Sequence, residues 1–292
     1  MLFLAAVSTL LVAPSAEGMD SGGSKKAMPG LENFIKASNR ISCGSEPHGK
    51  LAFETLKELG VNTVVSVDGA VPQRELAKAA GIRYVHIPVG YDGISQAAGR
   101  SLTRVVRETT GPIYIHCHHG RHRGPAAATL ACRVEGTADV RRSIEIMVLA
   151  GTSRDYVGLW RDVKAFVVPD ERVQLPPLVE VAPLESLTAA MSRVSRRLGT
   201  LKASSTAGFG SSATAVHHTS AHDALLLHEA LHEASRNLSS DYNREFKTWL
   251  TQSVNAAKAV HDSLRSGSAD TARRHFQALQ RSCTQCHKTY RN

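Results

Sequence analysis

The sequence predicts two folded units: an α/β domain, with a parallel-type sheet and flanking helices, followed by an all-α four-helix bundle. Three observations carry that expectation. Between residues 31 and 168, β-branched runs alternate with helical patterns, as in a parallel sheet with crossover helices. From 184 to 292 the strand signal is gone and apolar residues step by threes and fours. Between the two, Pro169, Pro176, Pro177 and Pro183 remove N–H donors and fix φ, so residues 169–183 read as a stiff, extended linker.

Residues 1–18, MLFLAAVSTLLVAPSAEG, are largely apolar and end in small residues, like the apolar region and cleavage zone of an export leader, although no Lys or Arg precedes the apolar run. The run is too short to cross a bilayer comfortably. No other stretch reads as transmembrane, so the mature chain is expected to have no integral membrane segment and to be periplasmic or secreted. Residues 19–30 read as a polar, Gly-rich tether. The run 62–67, bounded by Gly60 and Asp68-Gly69, predicts a buried strand, and 83–89 and 113–115 predict two more. Helices are expected at 75–80, 94–109, 125–135, 137–150 and 154–167. Four apolar stripes predict the bundle. They start at Leu187, Ala224, Phe246 and Ala272 and end at Leu201, Leu238, Leu264 and Tyr290, and the Gly/Ser/Thr-rich stretch 203–220 reads as a loop.

The 292 residues are 42% hydrophobic but only 5% aromatic, so the cores are expected to be aliphatic. Lys and Arg number 35 against 26 Asp and Glu, a formal charge of +9. The positives are spread along the chain, and Arg193, Arg196 and Arg197 read as the solvated face of a helix. A nucleic-acid partner is therefore not expected. Five cysteines, an odd number in a long chain, do not make a disulfide framework.

Residues 116–124 read HCHHGRHRG, directly after an apolar strand and directly before a helix. In such a loop the backbone N–H groups turn inward and the helix dipole adds to them, so the concavity binds an oxyanion. His118, His119, Gly120, Arg121, His122 and Arg123 are the expected phosphate-binding set. Arg123 offers a planar fork to two phosphate oxygens. The same positive field favours thiolate at Cys117. The alternatives are a phosphate binder without turnover and a buried structural thiol. Cys132 and Cys43 read as core.

Residues 116–123 match HCxxGxxR at every fixed position, and this stretch, with the runs 60–69 and 81–89, resembles the atypical dual-specificity branch of the protein tyrosine phosphatase superfamily. The resemblance spans residues 31–168. It implies that Cys117 is the nucleophile and forms a phosphocysteine, that Arg123 binds phosphate, and that an upstream Asp is the general acid. Asp92, in Gly90-Tyr91-Asp92-Gly93, is the first candidate and Asp68 the second. Gly124 stands where many members of the family carry Ser or Thr, whose hydroxyl helps sulfur leave. His119 or His122 could take over that part, or be loop surface.

Residues 283–287 read CTQCH, the pattern of haem c attachment, in which two thiols bond the porphyrin and the next His ligates iron. A CxxC pair also suits a redox dithiol or half a zinc site, but no second CxxC is present. The end of the chain resembles cytochrome c′-type and c-556-type four-helix cytochromes over residues 184–292. The resemblance implies one covalent haem c on Cys283 and Cys286 with His287 as axial ligand. It places Met191 as the candidate distal ligand, or as a plain core methionine. A further pattern, His228-Glu229-Ala230-Leu231-His232, matches HExxH of zinc proteases, with no third ligand following. These residues read as a solvated flank of the second bundle helix.

Two functions follow. The first is an exported phosphatase coupled to a haem c sensing or electron-transfer domain, acting on a phosphorylated protein or a small phosphoester and meeting a redox partner. The second is an electron-transfer cytochrome whose first domain only binds phosphate.

Overall fold

Six strands, β1 (Ser24–Met28), β2 (Leu31–Lys36), β3 (Ile41–Gly44), β4 (Thr63–Ser66), β5 (Arg83–His86) and β6 (Ile113–His116), form one sheet in the order β1-β2-β3-β6-β4-β5 in a computed structural model. The structure describes residues 24–183, 185–209 and 219–290. The leader read at 1–18 lies outside them.

The sheet is mixed rather than parallel throughout. β3, β6, β4 and β5 run parallel, while β1 and β2 add an antiparallel edge on β3. Two corrections follow. Part of the expected tether, Ser24–Met28, is strand β1, because its Lys-rich text is that of an exposed edge strand with no buried face to betray it. The short β2 and β3 and the helix α1 (Gly49–Glu58) also lie in text that carried no expected element.

The expected helices appear as α2 (Arg74–Ala79), α3 (Gln96–Glu108), α4 (Arg123–Glu135), α5 (Val140–Leu149) and α6 (Val157–Ala165). Local chemistry sets their ends. Ser95 accepts from the Ala98 amide and Asp139 from the Arg142 amide, each satisfying an orphan donor at a helix start. Gly136 closes α4 in the left-handed region at φ 81°. β6 is buried along its whole length and lies between β3 and β4. One apolar core, containing Ile35, Leu102, Ile115 and Leu159, fills one side of the sheet, and another, containing Phe53, Leu56, Val64 and Tyr114, fills the other.

Residues 169–183 are not a free spacer. Arg107 donates to the Pro169 carbonyl at 2.6 Å, and Arg104 to the Leu175 and Pro176 carbonyls. The His86 amide donates to Val179 O at 2.9 Å. The segment is strapped along α3 and the exposed edge of β5.

Beyond it come α7 (Leu187–Thr206), α8 (Ser220–Arg236), α9 (Arg244–Arg265) and α10 (Ala269–Tyr290), each packed on the next around a core that includes Leu201, Leu227, Leu250 and Phe276. Helix α7 runs on to Thr206, so the expected loop starts later than 203; residues 210–218 of it lie outside the described residues. Helix α8 is buried almost all round. One side faces its neighbours in the helical unit and the other faces the α/β domain, with Leu225 joining the α/β core. That packing corrects the solvated-flank reading: Glu229 is buried and His228 and His232 are half-buried.

Candidate active site

Residues 117–122 join the C-terminal end of β6 to α4, beside the C-terminal ends of β3, β4 and β5, where α/β sheets form their sites. Gly120 takes φ 66°, and an added Cβ there would overlap the Gly44 carbonyl group, so only glycine fits. The carbonyls of the loop are tied outward. Asn33 Nδ2 donates to Gly120 O at 2.8 Å, Thr152 Oγ1 to Arg121 O at 2.7 Å, and the Glu46 amide to His118 O at 3.1 Å. Among the described residues, the amides of His118, His119, Gly120, Arg121 and His122 donate to no acceptor. Outward carbonyls and unpaired amides are the makings of an anion nest.

Arg123, the first residue of α4, is fully buried. Its Nη2 donates to Asp68 Oδ2 at 3.2 Å and to the Tyr91 hydroxyl at 3.0 Å, and its Nη1 donates to Val89 O at 3.3 Å and to Glu233 Oε1. The Tyr91 ring lies 4.0 Å from the guanidinium carbon. Its Nε has no partner among the described residues. Cys117 is buried and lies within electrostatic reach of this guanidinium.

Asp68 follows β4. Burial alone would raise its carboxyl, but Arg123, Arg236 and the Ala70 amide together hold it well below the usual carboxylate range. This keeps Asp68 an anion beside Arg123. Asp92 sits in the turn closed by the Gly90–Gly93 bridge, its carboxylate exposed on one side and paired with Arg197 of α7 at 2.9 Å.

The histidines divide. Burial pushes His116 down to about 4, only partly opposed by Glu46 and Asp68, so its ring is neutral; its Nε2 lies 2.5 Å from the Tyr84 hydroxyl. His122 also falls to about 4, through burial first and then Arg123, and packs against the Tyr156 ring at 4.3 Å. It is not loop surface. His119 and Arg121 are exposed, and His118 reaches Glu46 at 3.4 Å. Of the expected phosphate-binding set, the 118–122 amides are unpaired among the described residues and Arg123 is buried near Cys117, while Arg121 is exposed. Cys43 and Cys132 are buried free thiols, as core residues would be.

Sequence reasoning missed Glu233, Arg236 and Arg197, all from the helical unit and all touching this site. Arg236 of α8 lies 2.9 Å from Asp68 Oδ1, and Arg193 lies 3.8 Å from Glu233. Arg197 is therefore a half-buried interface residue and Arg193 a half-buried residue paired with Glu185 and Glu233, not a solvated face; Arg196 does face solvent. Charged residues on a helix carry no mark of whether water or another domain meets them.

At the other end, Cys283 and Cys286 are free, half-buried thiols that pack against the helical core, as does Met191 on α7; His287 is exposed. Burial raises both thiols, and a bond to Ser253 opposes this at Cys283. Helices α7 and α10 are not among the closely packed pairs. Two free thiols one turn apart, an accessible imidazole after them and an apolar surface alongside fit the donor set of a covalent haem c.

No family model matches the chain, and no curated protein does. Among solved structures it is similar to TpbA of P. aeruginosa, at 25% identity over 47% of this chain and 86% of that one, with a TM-score of 0.41. It is also similar to a Cys-to-Ser variant of TpbA in complex with pTyr, at 26% identity over 46% and 82%, with a TM-score of 0.38. A DUF442 protein of Shewanella putrefaciens CN-32 shares 18% identity over 47% and 91%, with a TM-score of 0.38.

Proposed function

We propose that the chain is an exported phosphomonoester hydrolase of the protein tyrosine phosphatase type, working through Cys117 and joined to a cytochrome c′-like haem c domain. The observation that carries this reading is the ring of unpaired amides at 118–122 with the buried Arg123 guanidinium beside one thiol, Cys117. Amides and guanidinium would grip three phosphate oxygens and set phosphorus against sulfur. Cys117 sulfur attacks phosphorus as the P–O bond to the leaving group breaks, and that oxygen takes a proton from Asp92. Water then attacks the phosphocysteine, the P–S bond breaks with its electrons returning to sulfur, and Asp92 takes the proton from water. Gly124 supplies no hydroxyl for this second step; its Cα faces the Cys117 amide so closely that an added Cβ would lie 3.0 Å away.

Cys283 and Cys286 would hold haem c by thioether bonds with His287 on iron, and the group would supply redox change or small-gas binding. Export rests on residues 1–18 and on this attachment pattern, which in the families it resembles is filled outside the cytoplasm. Among the described residues no helix is long and apolar enough to cross a membrane. The substrate is a phosphorylated protein or a small phosphoester.

The deciding experiment is hydrolysis of an aryl phosphate by the haem-loaded protein across pH 4–9, expected to vanish in Cys117→Ser. One observation favours the second reading, a non-catalytic anion site in an electron-transfer cytochrome: both Nη atoms of Arg123 are engaged by side chains of the chain itself. Tungstate binding without turnover in the wild type and in variants that free Arg123 would establish that reading instead.

A further inference from the structure

Resting on the phosphatase reading of the Cys117 loop, we propose that the helical unit is an intramolecular inhibitor of that site, with the Glu233 carboxylate standing where a substrate phosphate would stand. Three contacts act together. Glu233 of α8 accepts from Nη1 of the buried Arg123. Arg236, one turn further along α8, holds Asp68 at 2.9 Å. Arg197 of α7 holds Asp92, the expected proton donor, at 2.9 Å. One unit thus takes the anion-binding group and the acid at once.

The chemistry of the plug is that of the ligand it replaces. A carboxylate offers guanidinium the same paired oxygens as phosphate, with less charge and no tetrahedral centre for Cys117 to attack. The α/β side is shaped to receive it. Gly69 lies against the plug, and a Cβ there would come 2.9 Å from Glu233 Oε1. The Gly69 carbonyl accepts from Asn237 at 2.8 Å, just beyond the end of α8.

The rest of the described interface suits a contact that opens. It carries several polar contacts: Tyr156 donates to Glu229 at 2.7 Å, His222 Nδ1 lies 2.8 Å from Asp155 O, and Arg265 pairs with Asp155 at 2.9 Å. Leu225 joins the apolar core of the α/β domain. Interfaces of this kind between domains of one chain resemble transient complexes and separate readily. Helix α8 packs on α9, and α9 on α10, which carries Cys283, Cys286 and His287, so the state of that end would reach the plug through two helix contacts.

The test uses the full haem-loaded chain in three forms: wild type, Glu233→Ala and Gly69→Ala. Tungstate binding is measured by calorimetry and aryl phosphate turnover in parallel. Both variants are expected to bind tungstate at least ten-fold more tightly than the wild type, and to raise kcat/KM by a similar factor. Gly69→Ala keeps every charge and only crowds the plug, so it stands in if Glu233→Ala fails to fold. Equal tungstate affinity in all three forms overturns the inhibitory assignment, with aryl phosphate turnover showing whether the phosphatase reading survives. Tighter tungstate binding in the variants with no turnover in any form upholds the plug and removes the phosphatase reading. Loss of turnover in Glu233→Ala at unchanged tungstate affinity makes Glu233 a catalytic group, and overturns the proposal.

Discussion

The chain carries two cysteine sites, and they differ in how complete they are. Around Cys117 the chain supplies buried Arg123, its partners Asp68 and Tyr91, and a loop fixed by Asn33 and Thr152. Around Cys283 and Cys286 the thiols are half-buried, His287 faces solvent, and α7 and α10 are not among the closely packed helix pairs. A site that binds a passing anion must be preorganised by its own scaffold, whereas a site for a covalent group is finished by that group.

The sharpest separation of the two sites is covalent. Cys283→Ala/Cys286→Ala is expected to lose all pyridine-haemochrome absorbance in the protein band, while Cys117→Ser keeps it; haem retained by the double variant would break the comparison. Next in size is Arg123→Ala. It leaves the buried Asp68 carboxylate short of its main partner, so urea denaturation is expected to show a loss of about 3–5 kcal/mol together with loss of tungstate binding.

Acid comes third and acts on the first site. His116 binds its proton at about 4 in the fold, against an ordinary value near 6.5 in the unfolded chain. Stability from its neutral ring is therefore fully present above pH 6.5 and falls as pH drops from 6.5 to about 4, by roughly 3 kcal/mol in all. His122 titrates in the same window and in the same direction. His116→Gln should flatten the pH dependence of thermal unfolding; an unchanged slope would show that the ring does not stay neutral. The smallest effect belongs to Arg197→Ala, whose partner Asp92 is largely exposed. Its cost in stability should be at most about 0.5 kcal/mol and should disappear in high salt.

The motifs of both sites were legible in the sequence because their spacing is rigid: a loop between strand and helix in one case, one turn of helix in the other. The central strands were legible for a similar reason, since β4 and β6 are buried on both faces and read as continuous apolar runs. Strand β1 was not, because an edge strand with intermediate and exposed residues has no buried face to write into its text. Nor were Glu233, Arg236 and Arg197. Each sits on an amphipathic helix where a charge is the expected solvent-facing residue, and only the docking of one unit on the other turns that charge inward. The docking of the proline-rich segment was not legible either, because the Arg104 and Arg107 that pin it lie more than sixty residues upstream.

That pinning limits how far the two units can part. The Ala182 amide still bonds His86 at 3.1 Å, and α7 begins at Leu187. Five peptide steps at full extension reach roughly 17 Å. A helical unit that lets go of Arg123 stays on this short leash, at an effective concentration in the millimolar range or above. It would swing aside and return rather than drift away, so a change of a few kcal/mol in the helical unit would set how often the Arg123 site stands open.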